Sequence, residues 1–121
     1  MWNLAVLMVF AGTLLYVPAF AQNCENAQSQ MELNQCSYHQ FQTADAALNV
    51  SYQKLMAKLS PEQQASLRKA ERSWVSYRDN ECAFETIGSL GGSINALMVN
   101  QCEMNLTVAQ MKRLDAAATD S

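Results

Sequence analysis

Apolar positions in this chain fall into one continuous block followed by three stripes with the period of an α-helix. Phe41, Ala44, Leu48, Tyr52, Leu55 and Leu59 recur at steps of three and four, which is one helix face and not the alternation of a strand. That helix is predicted to begin as early as Gln28. Ser60-Pro61-Glu62-Gln63 then places a capping hydroxyl before a proline at the first helical position, and Gln63 completes a capping box. A second helix starts there, with Leu67, Ala70, Trp74, Tyr77, Glu81 and Phe84 as its stripe. The segment GSLGGS, residues 88–93, breaks the pattern. Ser93 is expected to cap a third helix carrying Ile94, Leu97, Met98, Cys102, Val108, Met111 and Leu114. Lys112 and Arg113 would lie near its C-terminal end, where the helix dipole favours cations. The tail, DAAATDS, is expected to fray. The predicted fold class is all-α, a small disulfide-linked bundle of about three helices: a long antiparallel hairpin plus a third helix.

The apolar block is Met1–Ala21. It carries no charged side chain, is rich in Leu, Val, Phe and Ala, and closes on the small-x-small pattern Pro18-Ala19-Phe20-Ala21. Residues 1–21 are therefore expected to be a secretory signal peptide. The alternative is an uncleaved anchor, because MWNL has neither Lys nor Arg. Residues 22–121 would then form a single helical domain, periplasmic or secreted, with no stable membrane span after cleavage. All charged residues lie after Ala21, and only 23 large apolar side chains (Val, Ile, Leu, Met, Phe, Trp) follow it. So small a core needs covalent reinforcement.

Cys24, Cys36, Cys82 and Cys102 supply it. An even number of cysteines in a short exported chain reads as a disulfide framework. Three connectivities are open, and proximity in sequence favours Cys24–Cys36 and Cys82–Cys102. Each bridge would contribute about 3 kcal/mol by restricting the unfolded chain. A metal site is disfavoured, because no CxxC pair occurs and His39 is the one histidine. Met98, Met104 and Met111 read as core filling rather than a thioether metal cluster. No cofactor is expected.

The net charge of −3 comes without any basic run, which argues against a nucleic-acid partner. Nor does the chain point to an enzyme. His39 reads as a surface residue, no Ser or Cys sits in a nucleophile elbow, and Glu71, Glu81 and Glu85 have the spacing of a solvated helix face. Asn49 and Asn105 open sequons, which matter only in a eukaryotic secretory pathway.

Asp45 and Asn49 are one turn apart beside the first stripe, as are Trp74 and Arg78 on the second helix. Arg78 is expected to stack on Trp74 and pair with Asp45 across the hairpin, as an interhelical clamp rather than a ligand site. Cys24 and Cys36 eleven residues apart, then TADAALNVSYQKL (43–55), SWVSYRDNEC (73–82), Gly91-Gly92-Ser93 and Cys102 together resemble the LprI-like family of exported bacterial proteins, named for lysozyme inhibition. The shared positions are Asp45, Leu48, Asn49, Tyr52, Trp74, Arg78 and the cysteines. That family includes surface lipoproteins, whereas Ala21-Gln22-Asn23 before Cys24 lacks the small residues of a lipobox, so a soluble protein is expected. The resemblance implies a helical envelope domain that inhibits lysozyme by binding. The alternative is a structural or interaction module whose partner is another envelope protein. The expected partner-binding element is the loop at Ser89, Leu90 and Ser93, whose small neighbours permit close approach to a cleft.

Overall fold

In the computed structural model, which describes residues 24–120, the chain forms helices α1 (Gln30–Met56), α2 (Pro61–Glu85) and α3 (Asn95–Thr119). A single 3-10 turn, Ile87–Ser89, lies between α2 and α3. The all-α class holds. The expected signal segment and its cleavage site lie outside the described residues.

Local signals explain the starts of α1 and α2. The Ser29 hydroxyl accepts from the Glu32 amide at 3.1 Å, while the Glu32 carboxylate accepts from the Gln28 amide at 2.8 Å. α2 has the expected capping box, Ser60 with Gln63, and Pro61 in its first turn. α3 starts differently. Its N-cap is Ile94, with no side-chain cap. The Ser93 carbonyl instead accepts from the Asn34 side chain at 3.0 Å, and the Asn95 amide reaches back to the Ser89 hydroxyl at 3.0 Å. The cap expected at Ser93 is not formed; Ser93 is instead tied to α1 through its carbonyl.

α1 and α3 are the closest pair, and they run parallel: Asn34 and Ser37 bond to Asn100, while the Lys58 ammonium donates to the Ala118 carbonyl. α2 runs antiparallel to both, as the hairpin reading required, but its backbone stands off from α1. Small residues explain the tight α1–α3 seam. Ser37, Ala44 and Ser51, seven apart, are buried on one face of α1, and Thr107 is buried on α3. Below the seam Leu48, Leu55 and Leu114 form the apolar core, joined by Tyr52, Leu59, Leu67, Trp74 and Met111.

Two expectations are corrected here. The inner line of α2 is Leu67, Glu71, Trp74, Arg78 and Cys82, whereas Tyr77 and Phe84 face outward, at 52% and 72% exposure. Polar groups that find partners inside displace the aromatic residues from the interior. The tail does not fray: α3 continues through Thr119, because Ala117 and Ala118 pack on the leucine core and Lys58 binds the Ala118 carbonyl. Lys112 and Arg113 consequently sit well inside the helix, away from its last turn.

Cys24 pairs with Cys36, and Cys82 with Cys102. The first bridge ties the leading segment onto α1, and the second staples α2 to α3 beside the loop. If the seam depends on small side chains, Ala44→Leu should lower stability by about 1–3 kcal/mol through overpacking. Thermal unfolding followed by circular dichroism checks this, with Ala46→Leu on the exposed face of α1 as the neutral control.

Candidate functional site

The interior polar centre is built around Arg78, which is 8% exposed. Its Nε donates to Asp79 Oδ1 at 2.9 Å, and its Nη1 lies 3.5 Å from Asp45 Oδ1 and 3.4 Å from Thr107 Oγ1. The guanidinium carbon sits 5.0 Å from the Phe41 ring centroid and 5.4 Å from that of Trp74. One side chain thereby touches all three helices. Glu103 on α3 completes the cluster. Burial pushes its carboxyl above the usual carboxylate range; Arg78 pulls it down, and the charge and hydrogen bond of Asp79, with the charge of Asp45, push it up further. One guanidinium thus serves three carboxyl groups.

A second polar layer lies one turn lower. Gln110 donates to Glu71 Oε1, and Arg113 approaches the same oxygen at 3.8 Å while its Nε donates to Gln110 at 2.9 Å. Among the described residues every buried side-chain nitrogen and oxygen has a partner. Phe41, Glu103, Thr107, Glu71 and Gln110 were not expected from the sequence as members of this centre. A signal was present: Asn100, Glu103, Thr107, Gln110 and Leu114 recur at steps of three and four, a helical stripe composed mostly of polar residues.

At the disulfide end, the expected loop is rigidly bonded within itself. Thr86 accepts from the Ser89 hydroxyl at 2.9 Å and from the Asn95 amide at 3.4 Å, and Gly91 turns the chain at φ +83°. Ser89 is engaged inside the loop, and the Ser93 carbonyl is held by Asn34. The Leu90 side chain is 75% exposed, and Phe84, Ile87, Ile94 and Met98 in and around the loop are exposed as well.

The topology gives this end a strong negative excess. At and above the level of the Arg78–Asp45–Thr107 contact lie residues 24–45 and 78–108, which contain seven carboxylates (Glu25, Glu32, Asp45, Asp79, Glu81, Glu85, Glu103) and one basic side chain, the buried Arg78. Below it, residues 46–77 and 109–120 hold seven Lys and Arg against four carboxylates. The modest net charge of −3 conceals a strongly bipolar molecule.

Between α1 and α2, where the backbones stand apart, an open groove of about 460 Å³ is lined by Asp45, Leu48, Asn49, Tyr52, Arg68, Glu71, Arg72 and Val75. Among the described residues there is no group of three or more His, Cys, Asp or Glu placed to hold a metal ion, and no helix long and apolar enough to cross a membrane.

Residues 21–114 match the family described as lysozyme inhibitor LprI. The chain belongs to the LprI family. It is also 32% identical to an uncharacterised protein of Rhizobium meliloti, over 84% of this chain and 87% of that one. No solved structure matches it. Of the residues that carried the LprI resemblance, Asp45, Trp74 and Arg78 meet in the polar centre and Leu48 enters the core. Tyr52 packs at the core's edge, and Asn49 is exposed on the groove.

Two outcomes follow for this LprI domain. Arg78→Ala should cost roughly 3 kcal/mol, because it strands polar groups that it now satisfies and opens space between two rings. A melting temperature within a degree or two of wild type would reject the clamp. For Glu103 the folded state holds its proton more tightly than the unfolded state, so its ionisation destabilises the fold as pH rises through its raised pKa. Glu103→Gln should therefore raise the melting temperature at about pH 7.5, with the gain vanishing by about pH 4, where the carboxyl is largely protonated in both states.

Proposed function

We propose that this protein is exported to an oxidising envelope compartment and inhibits lysozyme by binding, using its acidic, apolar-tipped end. Membership of the LprI family and two disulfides support the compartment and the partner class. The observation that carries the reading is the division of charge. Lysozymes are strongly cationic, and an end with seven carboxylates against the single buried Arg78 steers such a partner far better than a uniform −3 would.

Leu90, Ile87 and Phe84 give that end an apolar contact whose backbone is already fixed by the Thr86, Ser89 and Asn95 bonds, so little loop entropy is lost on docking. The lysozyme cleft contains two carboxylates of its own. The neutral tip suits insertion there, with Glu81 and Glu85 left to meet basic residues around the rim. The family is named for inhibition, and the same reading assigns this chain no catalytic role.

The test is inhibition of purified c-type and g-type lysozymes by the oxidised protein, with a reduced and alkylated sample as control. Inhibition should be lost on reduction and should weaken by roughly an order of magnitude as salt rises to about 0.3 M. Leu90→Ala and Glu85→Lys should each weaken it about tenfold or more without changing the melting temperature, since both side chains are exposed. No inhibition by a helical, oxidised sample would overturn the reading and leave an envelope interaction module that does not act on lysozyme.

A further inference from the structure

The groove between α1 and α2 lies mainly in the basic half of the molecule, sharing Asp45 at its upper rim with the polar centre, and the apolar tip makes no part of it. Its carboxylates are already committed. Asp45 faces Arg78, and Glu71 is held by Gln110 and approached by Arg113. Both of those carboxylates have a backing arginine, Arg78 behind Asp45 and Arg113 beside Glu71. Arg68 and Arg72 on the same wall are exposed and have no ion-pair or hydrogen-bond partner for their side chains among the described residues. They lie one turn apart on α2, a like-charge arrangement that costs a few tenths of a kcal/mol in the absence of an anion.

The remaining lining is of two kinds. Leu48, Tyr52 and Val75 form an apolar floor and wall, and the exposed carboxamide of Asn49 offers both a donor and an acceptor. The volume of about 460 Å³ falls within the range of small-ligand sites and is too small to seat a folded partner.

We propose that this groove binds the carboxylate-terminated end of a short peptide. The paired guanidinium forks match a carboxylate, the Asn49 amide matches the adjoining peptide unit, and the apolar floor takes a neighbouring side chain. A simple inorganic anion would leave the floor and Asn49 unused, whereas an uncharged peptide would leave both arginines without a counter-charge. The site is independent of the lysozyme reading, because apart from Asp45 its lining lies in the opposite half of the bundle from the apolar tip.

The test is a titration of the oxidised, ¹⁵N-labelled protein with the N-acetylated peptide Ala-Leu-Ala, carrying either a free C-terminal carboxylate or a C-terminal amide. The acid form should give saturable shifts centred on Asn49, Tyr52, Arg72 and Val75, and the amide should bind at least about tenfold more weakly. Arg68→Gln combined with Arg72→Gln should weaken the acid form by a similar factor. The rest of the spectrum should remain unchanged, since both residues are exposed. Three results would overturn the proposal: no saturable shift up to about 10 mM, equal binding of acid and amide, or equally tight binding of inorganic phosphate at the same residues, which would make this a general anion site.

Discussion

The position of α2 depends on one buried guanidinium. The α1–α3 seam is closed by small side chains and needs no outside help, but α2 stands away from α1 and is joined to it by what its side chains can reach. Arg78 reaches furthest, with its charge shared between Asp45 and Asp79, its Nη1 on Thr107 and its flat faces against Phe41 and Trp74. Three of these contacts, to Asp45, Phe41 and Thr107, cross to other helices, and few placements of α2 satisfy them together, so we assign Arg78 the role of fixing register. The excess of carboxylates around it has a cost, visible in the raised Glu103. A well-packed apolar side chain could supply comparable stability, but it would accept neighbouring registers that a guanidinium between two fixed acceptors does not.

The Cys82–Cys102 bridge works with this contact. It joins α2 to α3 one turn beyond Arg78, on the same inner line of α2, so the covalent and ionic ties act along one edge. Between them, the upper half of the bundle is fixed without much hydrophobic burial: Ser37, Asn100, Asp45 and Thr107 occupy positions where a larger protein would place leucines. The apolar core is confined to the lower half, around Leu48, Leu55 and Leu114. The start of α2 and the break after it were legible in the sequence because their signals are local, as at Ser60-Pro61 and GSLGGS. The Arg78–Asp45 contact was legible because two one-turn pairs framed it.

What escaped the sequence was the polar interior. An argument from apolar periodicity assigns inward faces to Tyr77 and Phe84, and it passes over Glu71, Thr107 and Gln110, whose burial becomes affordable only when each finds a partner on another helix. Ser37 and Ser51 were missed for the same reason: they face inward because they are small, not because they are apolar. The frayed tail was a misreading of the same kind, since a run of alanines looks featureless until Leu114 and the Lys58 ammonium are placed beside it. The bipolar charge needed the topology as well. In the linear sequence the acidic residues of 24–45 and 79–108 are separate stretches, and only the up-down-up path of the helices brings them to one end.

That path also relates the groove to the clamp. Because α1 and α3 share a small-residue seam, α2 is left to approach α1 through long side chains, and the space between their backbones must be either filled or open. Near the middle it is filled, by Arg78 and the two rings. One to three turns below, α2 presents Arg68, Arg72 and Val75 to Asn49 and Tyr52 without closing on them, and the gap remains as a groove. Closing it with apolar side chains would enlarge the core and stabilise the bundle, since each fully buried Val or Leu contributes about 1.5–3 kcal/mol. The chain instead places two unpaired guanidinium groups there, a choice that folding alone does not favour and that an anionic ligand would explain.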